Sequence, residues 1–298
     1  MIPETELILN ADGSIYHLSL LPGEVGPTII LVGDPDRVDK VADRFDLVEL
    51  TRSKREFRTK TGIFRGHRLT VMSTGIGTDN IDVVLNELDA LVNIDFQTRR
   101  VKDSLTSLRI LRLGTCGGLQ EHLTPGALVL SAAAIGLDGL MPFYLRDQEG
   151  HAGIVGAARK ALGAYPEIAS LVYGANAANQ LLRYAHAVFP EVYQGITFTA
   201  SGFYGPQGRS LGRIGPTVRN LPDLMATVQC NGRSVLNMEM ETSGILGLGG
   251  ALGHACGSLS VVLANRARTT FHPDPASAVE HLIDRGLEML TGWLEGSI

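Results

Sequence analysis

The chain has 298 residues, 44% of them hydrophobic and 19% charged, with a net charge of −5. That balance fits a globular protein with a large core. The acidic excess argues against a nucleic-acid partner, because phosphate backbones need a basic surface. A small anion held by a few pocket arginines remains compatible with it. The three cysteines, Cys116, Cys230 and Cys256, show no metal-ligand spacing and read as free thiols of a reducing cytoplasm. The N-terminal stretch is expected not to be a signal peptide, since no basic region precedes an apolar core. No apolar run approaches the ~20 residues that span a membrane.

Residues 1–16 read as an N-terminal arm on a single domain covering 1–298. Thr28 to Val32 is an apolar, β-rich run, followed by a turn at Gly33-Asp34-Pro35-Asp36 and a helix from Arg37 onward. Leu69 to Met72 repeats the pattern, with a turn at Ser73 to Gly77. The helix after it carries Ile81, Val84, Leu85, Leu88, Leu91 and Val92 on one stripe, and Thr78 and Asp79 are cap-type residues at its start. Ile110 to Leu113 reads as a third strand, ending in a third glycine turn from Gly114 to Gly118. Between Gly139 and Arg183 the pattern is broken by Pro142 and Pro166; Ala157 to Leu162 and Ala177 to Ala187 look helical. A last strand covers Ser258 to Ala264. Strands alternating with helices predict an α/β fold with a mixed central sheet covered on both faces. Ligands on such sheets bind beyond strand ends, where the glycine turns lie.

Three clusters carry candidate chemistry. Gly33 and Arg37 flank the first turn, and Arg112, Gly114 and Thr115 surround the third. Glycine turns expose backbone N–H groups to an oxyanion, and guanidinium forks suit phosphate. Arg112 interrupts an apolar strand, so it must meet a carboxylate or an anion. Asn237 to Glu241 comes next: if extended, Glu239 and Glu241 share one face and suit sugar hydroxyls, or else cap a helix start. In Phe203 to Arg209, Gln207 offers a donor and an acceptor, and Arg209 offers donors only. That set can read the imide edge of a uracil, or it belongs to a plain Gly-Pro surface turn. No turn fits the P-loop or dinucleotide fingerprints, and no His–Glu pattern fits a metal.

Taken in order, these segments are similar to those of the nucleoside phosphorylase-I family, most closely its uridine phosphorylase branch. The matching runs are His17 to Leu20, Gly33 to Val38, Arg55 to Phe57, Ser73 to Gly77, Leu111 to Thr115, Phe203 to Arg209, Asn237 to Glu241, and Asn265-Arg266. The resemblance implies a pentosyltransferase on a partly barrel-like central sheet flanked by helices. Phosphate is then a co-substrate bound by Gly33, Arg37, Arg112 and Thr115, with Arg55 reaching in from a neighbouring subunit. It implies ribose contacts from Met240, Glu239 and Glu241, plus His17 of a neighbour. It implies base contacts from Phe203, Gln207, Arg209 and Arg266, with Arg112, Glu241, Gln207 and Arg209 carrying the catalysis. Asn265-Arg266 stands where the purine branch has an acidic proton donor. The implied assembly is a homo-oligomer, a dimer or a hexamer of dimers, that shares its sites between subunits and needs no cofactor. The main alternatives are a purine phosphorylase or nucleosidase of this fold, or a non-catalytic nucleoside binder. Three departures stand out: Gly77-Thr78-Asp79-Asn80 in place of Gly-Gly-Pro-Ser, the order Gly205-Pro206, and extra length between Gly139 and Phe203. In relatives with an intersubunit potassium, the ligands are a Glu like Glu56, a carbonyl like that of Ile76, and a Ser that is Asn80 here.

Overall fold

Every residue of the first strand, β1 (Thr28–Val32), is buried, which marks it as interior to a sheet covered on both faces. The computed structural model describes residues 1–144 and 149–296. After β1 come α1 (Pro35–Ala42), β2 (Leu47–Lys54), β3 (Phe57–Phe64), β4 (His67–Ser73) and α2 (Thr78–Asn93). A small hairpin, β5 (Ile94–Asp95) and β6 (Arg100–Val101), leads to β7 (Arg109–Gly118) and β8 (Leu128–Gly136). The next stretch holds α3 (Ala152–Ala161), α4 (Pro166–Ala169), β9 (Tyr173–Asn176), α5 (Asn179–Val188) and β10 (Tyr193–Thr199). The chain ends with α6 (Leu221–Ala226), β11 (Gln229–Cys230), β12 (Arg233–Glu239), α7 (Thr242–Ala251), β13 (Ala255–Asn265), β14 (Thr270–Phe271) and α8 (Pro275–Glu295).

The main sheet runs β11-β12-β10-β8-β13-β7-β1-β4-β3-β2. Because β12 also pairs with β7 through Asn237↔Gly118 and Met238↔Gly117, the strands β7, β13, β8, β10 and β12 close into a barrel. Strands β1, β4, β3 and β2 continue from β7 as an open arm. The pairing is mixed: β13 lies parallel to β7 and antiparallel to β8. The expected α/β architecture with a partly barrel-like sheet is therefore present.

Three local expectations need correction. The stretch Gly114 to Gly118 is strand rather than turn, because Thr115 to Gly118 pair with Val261 to Asn265 of β13. Those partners lie far along the chain and leave no local signal. Helix α1 starts at Pro35, before Arg37, and Asp34 caps it by accepting the Asp36 N–H. Helix α2 has Gly77 at its cap, with no side-chain cap from Thr78 or Asp79. Its stripe is as expected, with Ile81, Val84, Leu85, Leu88 and Leu91 buried. The two helical stretches expected after Gly139 are α3 and α5. The former packs Ile154, Val155 and Ala158 on a second apolar cluster beside the barrel. Residues 145–148 of the inserted stretch lie outside the described residues. The N-terminal arm is anchored: Leu7 and Ile15 join the main core, and the Ile2 N–H donates to the Arg99 carbonyl.

Candidate active site

A cavity of about 700 Å³ lies beyond Val32 of β1 and Glu239 of β12, and along β7 from Arg112 to Gly117. One end is built around Arg112. Its Nη2 meets Glu241 Oε2 at 2.6 Å and Glu239 Oε2 at 3.2 Å, and its Nη1 donates to Ser260 Oγ at 3.2 Å. Burial works to lower the Arg112 pKa, but the two carboxylates outweigh it and keep the guanidinium charged. A Cβ on Gly114 would stand 1.8 Å from Arg112 Nη1, so glycine there leaves the space into which the guanidinium folds. A guanidinium has five N–H donors, and these contacts leave donors over.

The two glutamates divide their work. Glu239 is fully engaged: Oε1 accepts from Thr199 Oγ1 at 2.6 Å, and Oε2 accepts from the N–H groups of Glu241 and Thr242. It ties the end of β12 to the start of α7. Strand β12 stops at Glu239, so Glu241 does not share its strand face as an extended run predicts. Glu241 sits instead at the α7 cap, and the chain reversal still brings both carboxylates onto Arg112. Glu241 Oε1 accepts the Gly77 N–H at 2.9 Å. The second glycine turn thus holds a carboxylate rather than lying open to an anion. Gly77 has φ 97, a conformation that favours glycine.

Arg37 provides the open cation. Its Nη1 donates to the Leu113 carbonyl at 3.1 Å, while its buried Nε has no hydrogen-bond partner. Burial and then the nearby Arg112 charge lower its pKa. A buried donor without a partner is costly. Arg37 shares its end of the site with Gly33 and Thr115. All three residues line the cavity.

The other end is formed by Phe203, Gln207 and Arg209. Gln207 is buried on a 3-10 turn, Gly205–Gln207. Arg209 lies 3.9 Å from the Phe203 ring centroid, donates to the Phe203 carbonyl at 2.9 Å, and bonds Gln207 Oε1. Burial, then the charge of Arg266, pull the Arg209 pKa down to about 10, which leaves it charged at neutral pH. Arg266 Nη1 reaches the Gln207 carbonyl at 3.5 Å. Arg209 therefore lines this end of the cavity, with Arg266 beside it.

The structure brings Gly33, Arg37, Arg112, Thr115, Phe203, Gln207, Arg209, Glu239, Met240 and Glu241 to one cavity, with Arg266 beside it. It does not bring Arg55 or His17 there. Arg55 is exposed at the β2–β3 turn with φ 55, and His17 Nδ1 pairs with Glu87 at 2.6 Å. Sequence reasoning missed Ile76, Met238, Leu263 and Phe271 as lining residues; single apolar residues have no local signature. It noted Cys116 only as a free thiol. The thiol lines the cavity, and burial pushes its pKa up to about 12, so it stays protonated.

The open end of the barrel carries an arginine–carboxylate centre at one side of the cavity and an amide–guanidinium pair at the other. A family model described as the phosphorylase superfamily matches residues 27–290. The chain is 28% identical over 295 residues to a uridine phosphorylase of Thermococcus kodakarensis, covering 98% of this chain and 91% of that one. It is 29% identical to a uridine phosphorylase of Haemophilus influenzae, over 85% of this chain and 87% of that protein. A solved nucleoside phosphorylase of Trypanosoma brucei, described as showing uridine phosphorylase activity, superposes with a TM-score of 0.87. It is 32% identical, with 96% of this chain and 100% of that chain covered. The chain belongs to the phosphorylase superfamily, as a nucleoside phosphorylase and hence a pentosyltransferase. Among the described residues, no helix is long and apolar enough to cross a membrane.

Proposed function

We propose that the enzyme catalyses reversible phosphorolysis of uridine, giving uracil and ribose 1-phosphate. The observation that carries this reading is the pair of guanidiniums, Arg37 and Arg112, in one cavity with Gln207 and Arg209. Phosphate sits below C1′ on Arg37, Arg112, Thr115 and the Gly33 backbone, with Arg55 of a neighbouring subunit completing the site. Glu241 takes the ribose 2′- and 3′-hydroxyls, beside Met240 and Glu239, and His17 of a neighbour takes the 5′-hydroxyl. Phe203 packs near the base, and Gln207, Arg209 and Arg266 hold it.

The glycosidic bond breaks with oxocarbenium character. Its electron pair leaves with uracil, whose developing charge meets Gln207 and Arg209. A phosphate oxygen then bonds to C1′. Holding both reactants in line supplies much of the acceleration. Asn265 supports a pyrimidine over a purine: its Nδ2 donates to the Gln120 and Leu123 carbonyls, and its Oδ1 accepts the Arg268 N–H. It is a structural residue with no proton to give a purine ring.

No cofactor enters this scheme. Asn80 and Glu56 both flank Gly75. Asn80 stands where the potassium-binding relatives have a Ser, so the scheme assigns that ion no role. The test is to incubate the enzyme with uridine, thymidine or inosine, with and without phosphate, and follow base release. Uracil release from uridine that requires phosphate is expected. Release without phosphate, or from inosine alone, overturns the assignment.

A further inference from the structure

Helix α7 begins at the residue that must hold the ribose, so whatever fixes its first turn fixes the site. Glu241 is the cap of that helix, with no side-chain cap bond of its own. Its backbone and the Thr242 N–H are held by Glu239. The next N–H, that of Ser243, donates to Thr199 Oγ1 at 2.9 Å, and Thr199 donates in turn to Glu239. Behind this turn, away from the cavity, lies a second polar group. Ser243 Oγ donates to Asp138 Oδ2 at 2.9 Å. The Tyr173 hydroxyl stands 2.8 Å from Ser243 Oγ, and 2.9 and 2.8 Å from the two Asp138 oxygens. None of these three residues lines the cavity.

The Tyr173 ring is wedged in place. A Cβ on Gly136, at the end of β8, would lie 2.2 Å from Tyr173 Cζ. On the other side a Cβ on Gly247, one turn further along α7, would lie 3.6 Å from Tyr173 Cε2. The absence of a side chain at Gly136 thus makes room for the ring on β8, and Gly247 of α7 lies within ordinary contact of it. The ring's hydroxyl is delivered to the first turn of α7. Burial and then Asp138 raise the Tyr173 pKa well above its ordinary value, so the hydroxyl keeps its proton and acts as a donor.

The geometry points to Tyr173, with Asp138 and Ser243, as positioning residues that set the placement of Glu241 against the ribose. The assignment rests on the reading of Glu241 as the ribose carboxylate. The group is a hydrogen-bonded brace that runs from Asp138 through Ser243 and Thr199 to Glu239, whose carboxylate also meets Arg112. A small misplacement of a substrate-holding group costs up to about a hundredfold in rate. Tyr173, Asp138 and Ser243 line no part of the cavity, so changing them removes no cavity contact directly.

The test compares Tyr173→Phe, which keeps the ring in its slot, with Ser243→Ala and with Glu241→Gln as reference. The readout is kcat/KM for uridine divided by that for 2′-deoxyuridine, which lacks one of the hydroxyls, together with the thermal midpoint. Glu241→Gln is expected to lower the ratio most. Tyr173→Phe and Ser243→Ala are expected to lower it about threefold or more, mainly through the KM for uridine. If Glu241→Gln lowers the ratio and neither brace variant does, or if both nucleosides lose equally with a lower thermal midpoint, the brace is merely structural and the inference fails alone. If Glu241→Gln leaves the ratio unchanged, the ribose reading of Glu241 fails and the inference falls with it.

Discussion

The arginine–carboxylate end of the cavity is made of strands and one helix cap, whereas the Gln207 end hangs from the loop between β10 and α6. At the first end Arg112 is 5%, Glu239 4% and Glu241 6% exposed, and each is bonded to residues of other elements. At the second end Phe203 is 50% exposed, and Leu211 and Ile214 further along the loop are 80% and 87% exposed. The difference teaches where rigidity is needed. Buried, paired charges hold their aim without reorganising. Under the proposed reaction the loop end takes the base, which it must admit and release, and a loop suits that.

Arg112 separates the two ends most clearly. Arg112→Ala leaves Glu239 and Glu241 facing each other unpaired, which costs about 3–5 kcal/mol of stability. It also removes a transition-state cation, and phosphate-dependent uracil release should fall on the order of a thousandfold or more. Thermal unfolding and a base-release assay read both losses together; turnover near wild type contradicts the role. Arg112→Lys keeps a charge but loses the fork, and should recover stability better than activity.

Gln207→Ala and Arg209→Ala probe the loop end. Each should lower kcat/KM for uridine about a hundredfold with a smaller change in thermal midpoint than Arg112→Ala, because neither leaves two buried carboxylates without their cation. A large loss of stability would show that both ends are built alike. Activity and stability should thus separate at the loop and move together at Arg112.

His254 lies outside both ends, and its effect is on stability alone. It is buried against Asp89, and its Nδ1 accepts the Leu108 N–H at 3.2 Å. Burial lowers its pKa, and Asp89 opposes this only in part. A histidine whose pKa is depressed by folding binds its proton less readily when folded. Its contribution is therefore present above the unfolded pKa of about 6.5 and is lost as pH falls through the lower folded value. Chemical denaturation at stepped pH should show this loss, and His254→Gln should flatten it.

The smallest effect is expected at Leu211 and Ile214. Replacing either with Ser changes only exposed surface, so stability should shift by less than about 0.5 kcal/mol. A strong effect on KM for uridine would instead make these side chains part of the closed base site.

Much of this was legible in the residues because local rules and tertiary demands agree. The buried stripe of α2 and the all-apolar β1 are periodic signals that packing reinforces. Arg112 was legible as a charge in an apolar strand needing a partner, and both partners were already visible as Glu239 and Glu241. Their meeting was not, since it depends on the chain reversing between β12 and α7. The turn expected after Leu113 failed for the same kind of reason: a glycine run extends as strand when distant strands pair with it. Phe271 and Ile76 reach the cavity only through tertiary packing. Arg55 and His17 carry no role within one chain, so their expected contributions depend on assembly.

In the proposed reaction phosphate, rather than water, attacks the sugar between Arg37 and Arg112. The most direct measurement is phosphorus magnetic resonance of a mixture of uridine, inorganic phosphate and enzyme, with uracil followed in parallel. One ribose 1-phosphate is predicted for each uracil formed, with an equal loss of inorganic phosphate. Uracil formed while inorganic phosphate stays constant, or no uracil at all, would contradict it.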